Sequence, residues 1–107
     1  MKNLGNILKQ AQNMQTRMAE IQEELQAMEV EGQSGAGMVR VTVSGKGEVR
    51  SLKIDPGVVD KDEVGVLEDL VVAAVNDARH KAEELSRDKM GELTEGLPLP
   101  PGFKLPF

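Results

Sequence analysis

Gly37-Met-Val-Arg-Val-Thr-Val-Ser-Gly-Lys-Gly-Glu-Val-Arg-Ser-Leu-Lys-Ile-Asp55 reads as a β-hairpin. Val39, Val41 and Val43 alternate with Arg40, Thr42 and Ser44, the period of a strand covered on one face. Gly45-Lys46 supplies a two-residue turn with glycine first, where positive φ is required. That register sets Val39 opposite Leu52, Val41 opposite Arg50 and Thr42 opposite Val49. It gathers Val39, Val41, Leu52 and Ile54 on one face, with Arg50 and Glu48 towards its rim. Two strands alone are marginal in water, so this face needs a cover. The long helical patterns on either side are the candidates.

Upstream, Leu4, Ile7, Ala11, Met14, Met18, Ile21, Leu25 and Met28 fall at alternating steps of three and four. This is a heptad seam on one helix over residues 4 to 28, roughly 37 Å long at about 1.5 Å per residue. Such a helix gains most of its stability by packing its stripe, so the stripe must meet a partner helix from this chain or a second copy. Three methionines in the seam suit a forgiving interface. Lys2, Lys9 and Arg17 precede any acid, whereas Glu20, Glu23, Glu24 and Glu29 fill the second half. These charges read either as a solvated face or as a short basic strip backed by Gln10, Gln12 and Asn13.

Val30 to Ser34 is a third strand turned into the hairpin by Gly35-Ala36-Gly37. Those glycines do not form a phosphate loop, because a strand follows them instead of a helix N-terminus. Asp55-Pro56-Gly57 ends the hairpin. Asp60 or Asp62 caps the next helix, with Glu63 completing a capping box on Asp60. That helix spans about 63 to 94. Val64, Leu67, Leu70, Val71, Ala74, Val75 and Ala78 lie across the sheet, and Ala82, Leu85, Met90 and Leu93 leave a thin stripe suited to a projecting arm. Arg79, Lys81, Arg87 and Lys89 stand among Glu83, Glu84 and Asp88, either as intrahelical ion pairs or as a basic face. Gly91 and Gly96 loosen and end the helix. Residues 96–107, rich in proline, form an extended tail.

Composition narrows the function. At 107 residues the chain is one small domain whose core self-association would enlarge. Without cysteine, and without an apolar run near its start, it is expected to be cytoplasmic, with no membrane partner. The net charge of −5 is the wrong sign for a DNA-binding footprint, so nucleic-acid contact requires locally concentrated lysine and arginine. With Phe103 and Phe107 the only aromatics, single-strand stacking platforms are not expected, and duplex DNA gripped by its backbone is the remaining nucleic-acid reading. One histidine, His80, and no cysteine leave triads and zinc sites without ligands. A non-enzyme without cofactor, metal or small-molecule substrate is expected.

Ser34-Gly-Ala-Gly37, the stretch from Val39 to Gly45, Ile54-Asp-Pro56, Leu67-Glu-Asp-Leu70, Ala73-Ala-Val-Asn-Asp-Ala78 and the ending Leu99-Pro-Pro-Gly-Phe-Lys-Leu-Pro-Phe107 together resemble the YbaB/EbfC family of bacterial nucleoid-associated proteins. The resemblance implies a dimeric DNA-binding protein with helical arms spaced like the jaws of forceps, located in the nucleoid. The family's signature lies in the sheet and around Asn76-Asp77, not at the basic positions. Asn76 and Asp77 are expected to make structural hydrogen bonds at the body or dimer interface.

The expectation is therefore an α+β fold in the order helix, three-stranded antiparallel sheet, long helix, tail, with residues 1–95 a dimerising DNA-binding domain. Lys2, Lys9, Arg17, Arg79, Lys81, Arg87 and Lys89 are the expected phosphate contacts of a homodimer on duplex DNA, with little sequence preference. The alternative is a dimeric helical adaptor for another protein, with DNA incidental.

Overall fold

The computed structural model describes residues 2–95; the side chains of Lys2, Asn3, Thr94 and Glu95, and all of the Pro-rich tail expected over 96–107, lie outside the described residues. The chain runs α1 (Lys2–Ala27), β1 (Glu29–Ser34), β2 (Val39–Ser44), β3 (Val49–Ile54) and α2 (Val64–Glu95), with short turns of 3-10 helix at Gly35–Gly37 and Pro56–Val58. The strands form one antiparallel sheet in the order β1-β2-β3, so the expected α+β fold is observed.

The hairpin differs from its expected register. Val39 pairs with Ile54, Val41 with Leu52 and Thr42 with Ser51, two residues away from the expected partners at the open end. Two features add one residue each. The loop has three residues, because Gly47 at φ 88° closes it and the Ser44 N–H reaches Glu48 O at 2.8 Å. A bulge between Thr42 and Val43 then leaves Arg50 as the extra residue of β3. A shift of two preserves parity, so Val39, Val41, Leu52 and Ile54 still share a face.

α2 covers that face unevenly. Val39, Val41 and Val43 are fully buried against Ala74, Ala78 and Ala82, with Leu67, Leu70, Val71 and Val75 around them. The helix packs on β1 and β2. On β3, Leu52 remains 44% and Val49 50% exposed. The close approach over β1 depends on Gly32 facing Ala78, where a Cβ would lie 2.2 Å from the Ala78 amide nitrogen. Asp77 Oδ2 accepts from the Gln33 N–H at 2.9 Å and from Lys81 Nζ at 2.9 Å, and the Ser34 hydroxyl donates to Leu70 O. Asp77 thus makes the structural hydrogen bonds expected of it, whereas Asn76, expected to do the same, is exposed.

The second half of α2 meets α1 and covers the heptad seam from Met14 to Leu25. Ile21, Leu25 and Leu93 are buried with Met14, Met18, Leu85 and Met90 around them. Arg17 near Glu92 and Lys89 near Glu24 show that the helices run antiparallel. The described chain extends 73 × 26 × 16 Å, so this helix pair projects from the body. Leu4, Ile7 and Leu8 at its far end stay 57–58% exposed. The base of the arm is fixed where Gly45 donates to Leu25 O at 2.8 Å and Arg50 to Gln26 O, satisfying carbonyls at the end of α1. Ahead of α2, Asp60 Oδ1 accepts from the Asp62 N–H in a local turn, so Asp60 caps that turn and not the helix, which begins at Val64.

The Gln33 amide, with the Lys81 ammonium second, holds the Asp77 carboxyl below its ordinary value of 3.8. Because its folded pKa is the lower one, Asp77 stabilises the fold above the unfolded value, and that contribution is lost as pH falls through the folded value. Asp77→Asn is expected to lower the thermal midpoint near neutral pH. The gap to the parent should narrow as pH falls below 3.8 and through the lowered folded value. A gap that stays constant with pH would remove the carboxylate from the stabilising role.

Candidate nucleic-acid interface

The hairpin tip is held rigidly. The Ser44 side chain is buried, and its hydroxyl accepts from the Lys46 and Glu48 N–H groups at 3.2 Å each. The Gly47 N–H donates to Ser44 O at 2.8 Å. With Gly45 tied to α1, the turn presents one long side chain, Lys46, outwards. Positions 79, 83, 86 and 87 of α2 follow at spacings of four, three and one, which places them along one side of the helix. Between the turn and this side lies an open cavity of about 140 Å³ lined by Gly45, Lys46, Gly47, Arg79, Glu83 and Ser86, with Ala82 beneath. Arg87 flanks it beside Ser86.

The structure sorts the expected cations by their partners. Arg17 reaches Glu20 at 3.2 Å, Glu24 at 3.7 Å and Glu92 at 3.8 Å. Lys89, its side chain 23% exposed, sits 3.3 Å from Glu24 and 3.9 Å from Glu92. These two, with their carboxylates, stitch α1 to α2. Lys81 is held by Asp77. Each exposed pair of this kind is worth about 0–1 kcal/mol, so none of these cations is locked in place. Lys9, Arg79 and Arg87 are exposed and meet no described carboxylate within 4.0 Å. Lys9 lies on the arm, whereas Arg79 lines the hairpin-tip cavity with Lys46 and Arg87 lies two turns further along the same side of α2. His80 is 77% exposed, 3.8 Å from Glu83.

Lys46 is the residue that sequence reading passed over. In the sequence it reads only as a turn position, and its proximity to Arg79, 33 residues away, arises from α2 crossing the sheet. The available signal was a lone lysine between two glycines at a hairpin tip. No three carboxylate or histidine groups converge on a metal-sized site among the described residues. No described helix is long and apolar enough to cross a membrane.

Residues 1–97 match the model of the YbaB/EbfC DNA-binding family. The chain belongs to this family. Relatives are similar along the whole length: a nucleoid-associated protein of Rhodospirillum rubrum is 64% identical over 107 residues, covering all of both chains. Nucleoid-associated proteins of Paramagnetospirillum magneticum and Agrobacterium fabrum are 59% and 50% identical over the same full span. Among solved structures, an uncharacterized protein from Helicobacter pylori shares the fold at TM-score 0.70 and 24% identity, over 87% of this chain and 95% of that one. The YbaB/EbfC resemblance of the hairpin and its flanks is therefore a family relationship, and the acidic net charge does not argue against it.

Proposed function

We propose that this protein is a nucleoid-associated protein that binds duplex DNA as a homodimer, chiefly through the phosphate backbone and with little base-sequence preference. The observation that carries the reading is that Lys46 and Arg79 line one cavity at the hairpin tip of an otherwise acidic chain, with Arg87 further along the same side of α2. The family and the names of its relatives support DNA as the partner and the nucleoid as the location. Phosphate contact is proposed for Lys2, Lys9 and Arg17 of α1 and for Arg79, Lys81, Arg87 and Lys89 of α2. Most weight falls on Lys9, Arg79 and Arg87, since Arg17, Lys81 and Lys89 would first have to leave their carboxylates. Two copies on one rigid body would double each weak contact set and raise affinity by avidity. Nothing on this surface presents a reading face for base edges, which is why loose, preference-level binding is proposed.

A titration of a mixed-sequence duplex against salt tests this. A dimer neutralising about six phosphates loses on the order of 10³ in affinity between about 50 and 200 mM salt, with a log–log slope of roughly −0.9 per phosphate. A scrambled duplex should give the same curve. The adaptor reading draws on the exposed Leu4, Ile7 and Leu8 of the arm, a short apolar stripe open to another helix. It predicts weak or absent duplex binding at about 0.15 M salt, and that result would displace the DNA reading.

A further inference from the structure

We infer that the cavity between the hairpin tip and α2 seats a single phosphodiester group of duplex DNA, gripped by Lys46 and Arg79 with the Ser86 hydroxyl alongside. This rests on the duplex-binding reading and adds to it a defined site and a contact residue, Lys46. The cavity, about 140 Å³, has room for four or five water-sized groups at about 30 Å³ each, which is the scale of a phosphate with its oxygens. The backbone amides of the turn are already engaged with Leu25, Met28 and Ser44, so the donors left to an anion are side chains. A guanidinium fork beside a mobile ammonium is a pairing well matched to phosphate oxygens. Gly47 is required by the turn, at φ 88°, and lies against Arg79: a Cβ built on it would stand in ordinary van der Waals contact with Arg79 Nε, at 3.8 Å.

Charge and lining select the form of phosphate. Lys46 and Arg79 against Glu83, which also lines the cavity, leave a net charge of one positive unit. A diester in a DNA backbone carries one negative charge, whereas a terminal phosphate carries about −1.5 to −2 at neutral pH. Glu83 therefore tolerates the diester better than a terminal phosphate. Among the described residues, no aromatic side chain on which a base could stack lines the cavity.

The test compares two charge-matched double variants in the full-length chain. Lys46→Gln with Arg79→Gln should flatten the salt slope of duplex binding by about 0.9 for each phosphate lost and weaken binding equally across sequences. Lys53→Gln with Lys61→Gln removes the same charge away from the cavity and should keep the parent slope. Both pairs are exposed, and unchanged thermal midpoints would confirm that each variant is folded. Equal slopes for the Lys46/Arg79 variant and the parent, or equal losses in the two variants, overturn the site while leaving duplex binding intact. A parent that fails to bind duplex overturns the wider reading as well. Inorganic phosphate should compete no better than chloride at matched ionic strength; selective competition by phosphate would assign the cavity to a free anion and overturn the diester.

Discussion

Replacing Gly32 by alanine is expected to cost roughly 3 kcal/mol or more, at the upper end of what overpacking does in a core. The added Cβ would lie 2.2 Å from Ala78 N, 2.5 Å from its Cα and 2.7 Å from its Cβ. Two of these three atoms are backbone, so no rotamer change relieves the clash. Either α2 lifts from β1 or the strand is displaced, and both open the contact on which Val39, Val41 and Val43 depend. The entropic benefit of losing a glycine, about 0.4–1 kcal/mol, is too small to compensate. For a domain of this size, 1 kcal/mol shifts the thermal midpoint by about 4–8 °C, so a fall of more than about 10 °C is expected. Gly91→Ala is the control: outside its own helix backbone, no atom of the described residues comes within 4 Å of its added Cβ, and a gain of up to about 1 kcal/mol is expected within α2. A Gly32→Ala protein with the parent's midpoint would mean that α2 does not sit on β1 as described.

The proposed homodimer is expected to come apart in a variant carrying Val49→Asp and Leu52→Asp. These residues pair with Val43 and Val41, which are fully buried, yet they are themselves about half exposed because α2 crosses β1 and β2 and stops short of β3. Burying a side chain of this size is worth about 1.5–3 kcal/mol, which gives a second copy reason to cover them. Two buried, unpaired carboxylates per protomer would instead cost several kcal/mol at such an interface. The monomer should survive, since both positions already reach solvent. Light scattering should then show the monomer mass, and duplex affinity should fall by about 10²–10⁴ as avidity is lost. A variant that remains dimeric would move the interface elsewhere, with the Leu4, Ile7 and Leu8 stripe next in line.

Much of the architecture was legible locally. The valine alternation of β2 and the heptad run of α1 are short-range patterns, and each specifies its element whatever surrounds it. The inward set on α2 was legible for the same reason, apart from Val64, which is 49% exposed at the helix start. The hairpin register was not. Choosing between a two-residue loop and a three-residue loop with a bulge depends on Gly47 φ and on Arg50 reaching the end of α1, and neither follows from alternation. The candidate contact list shows the same division. Its basic positions are readable one by one, but a lysine that is free and one held by a carboxylate look identical in a string.

By itself, then, the order of residues determined the helix–sheet–helix succession, the apolar face of the hairpin and the family to which the chain belongs, because periodicity and motif need only neighbours in sequence. Tertiary structure decided which stripe covers which face, and so left β3 bare while closing α1 on α2. It also neutralised Arg17, Lys81 and Lys89 and brought Lys46 beside Arg79. Charge pairing acts over a few ångströms in space and is indifferent to separation along the chain. Only the folded arrangement could therefore distinguish the cations that hold the arm together from those left facing outward.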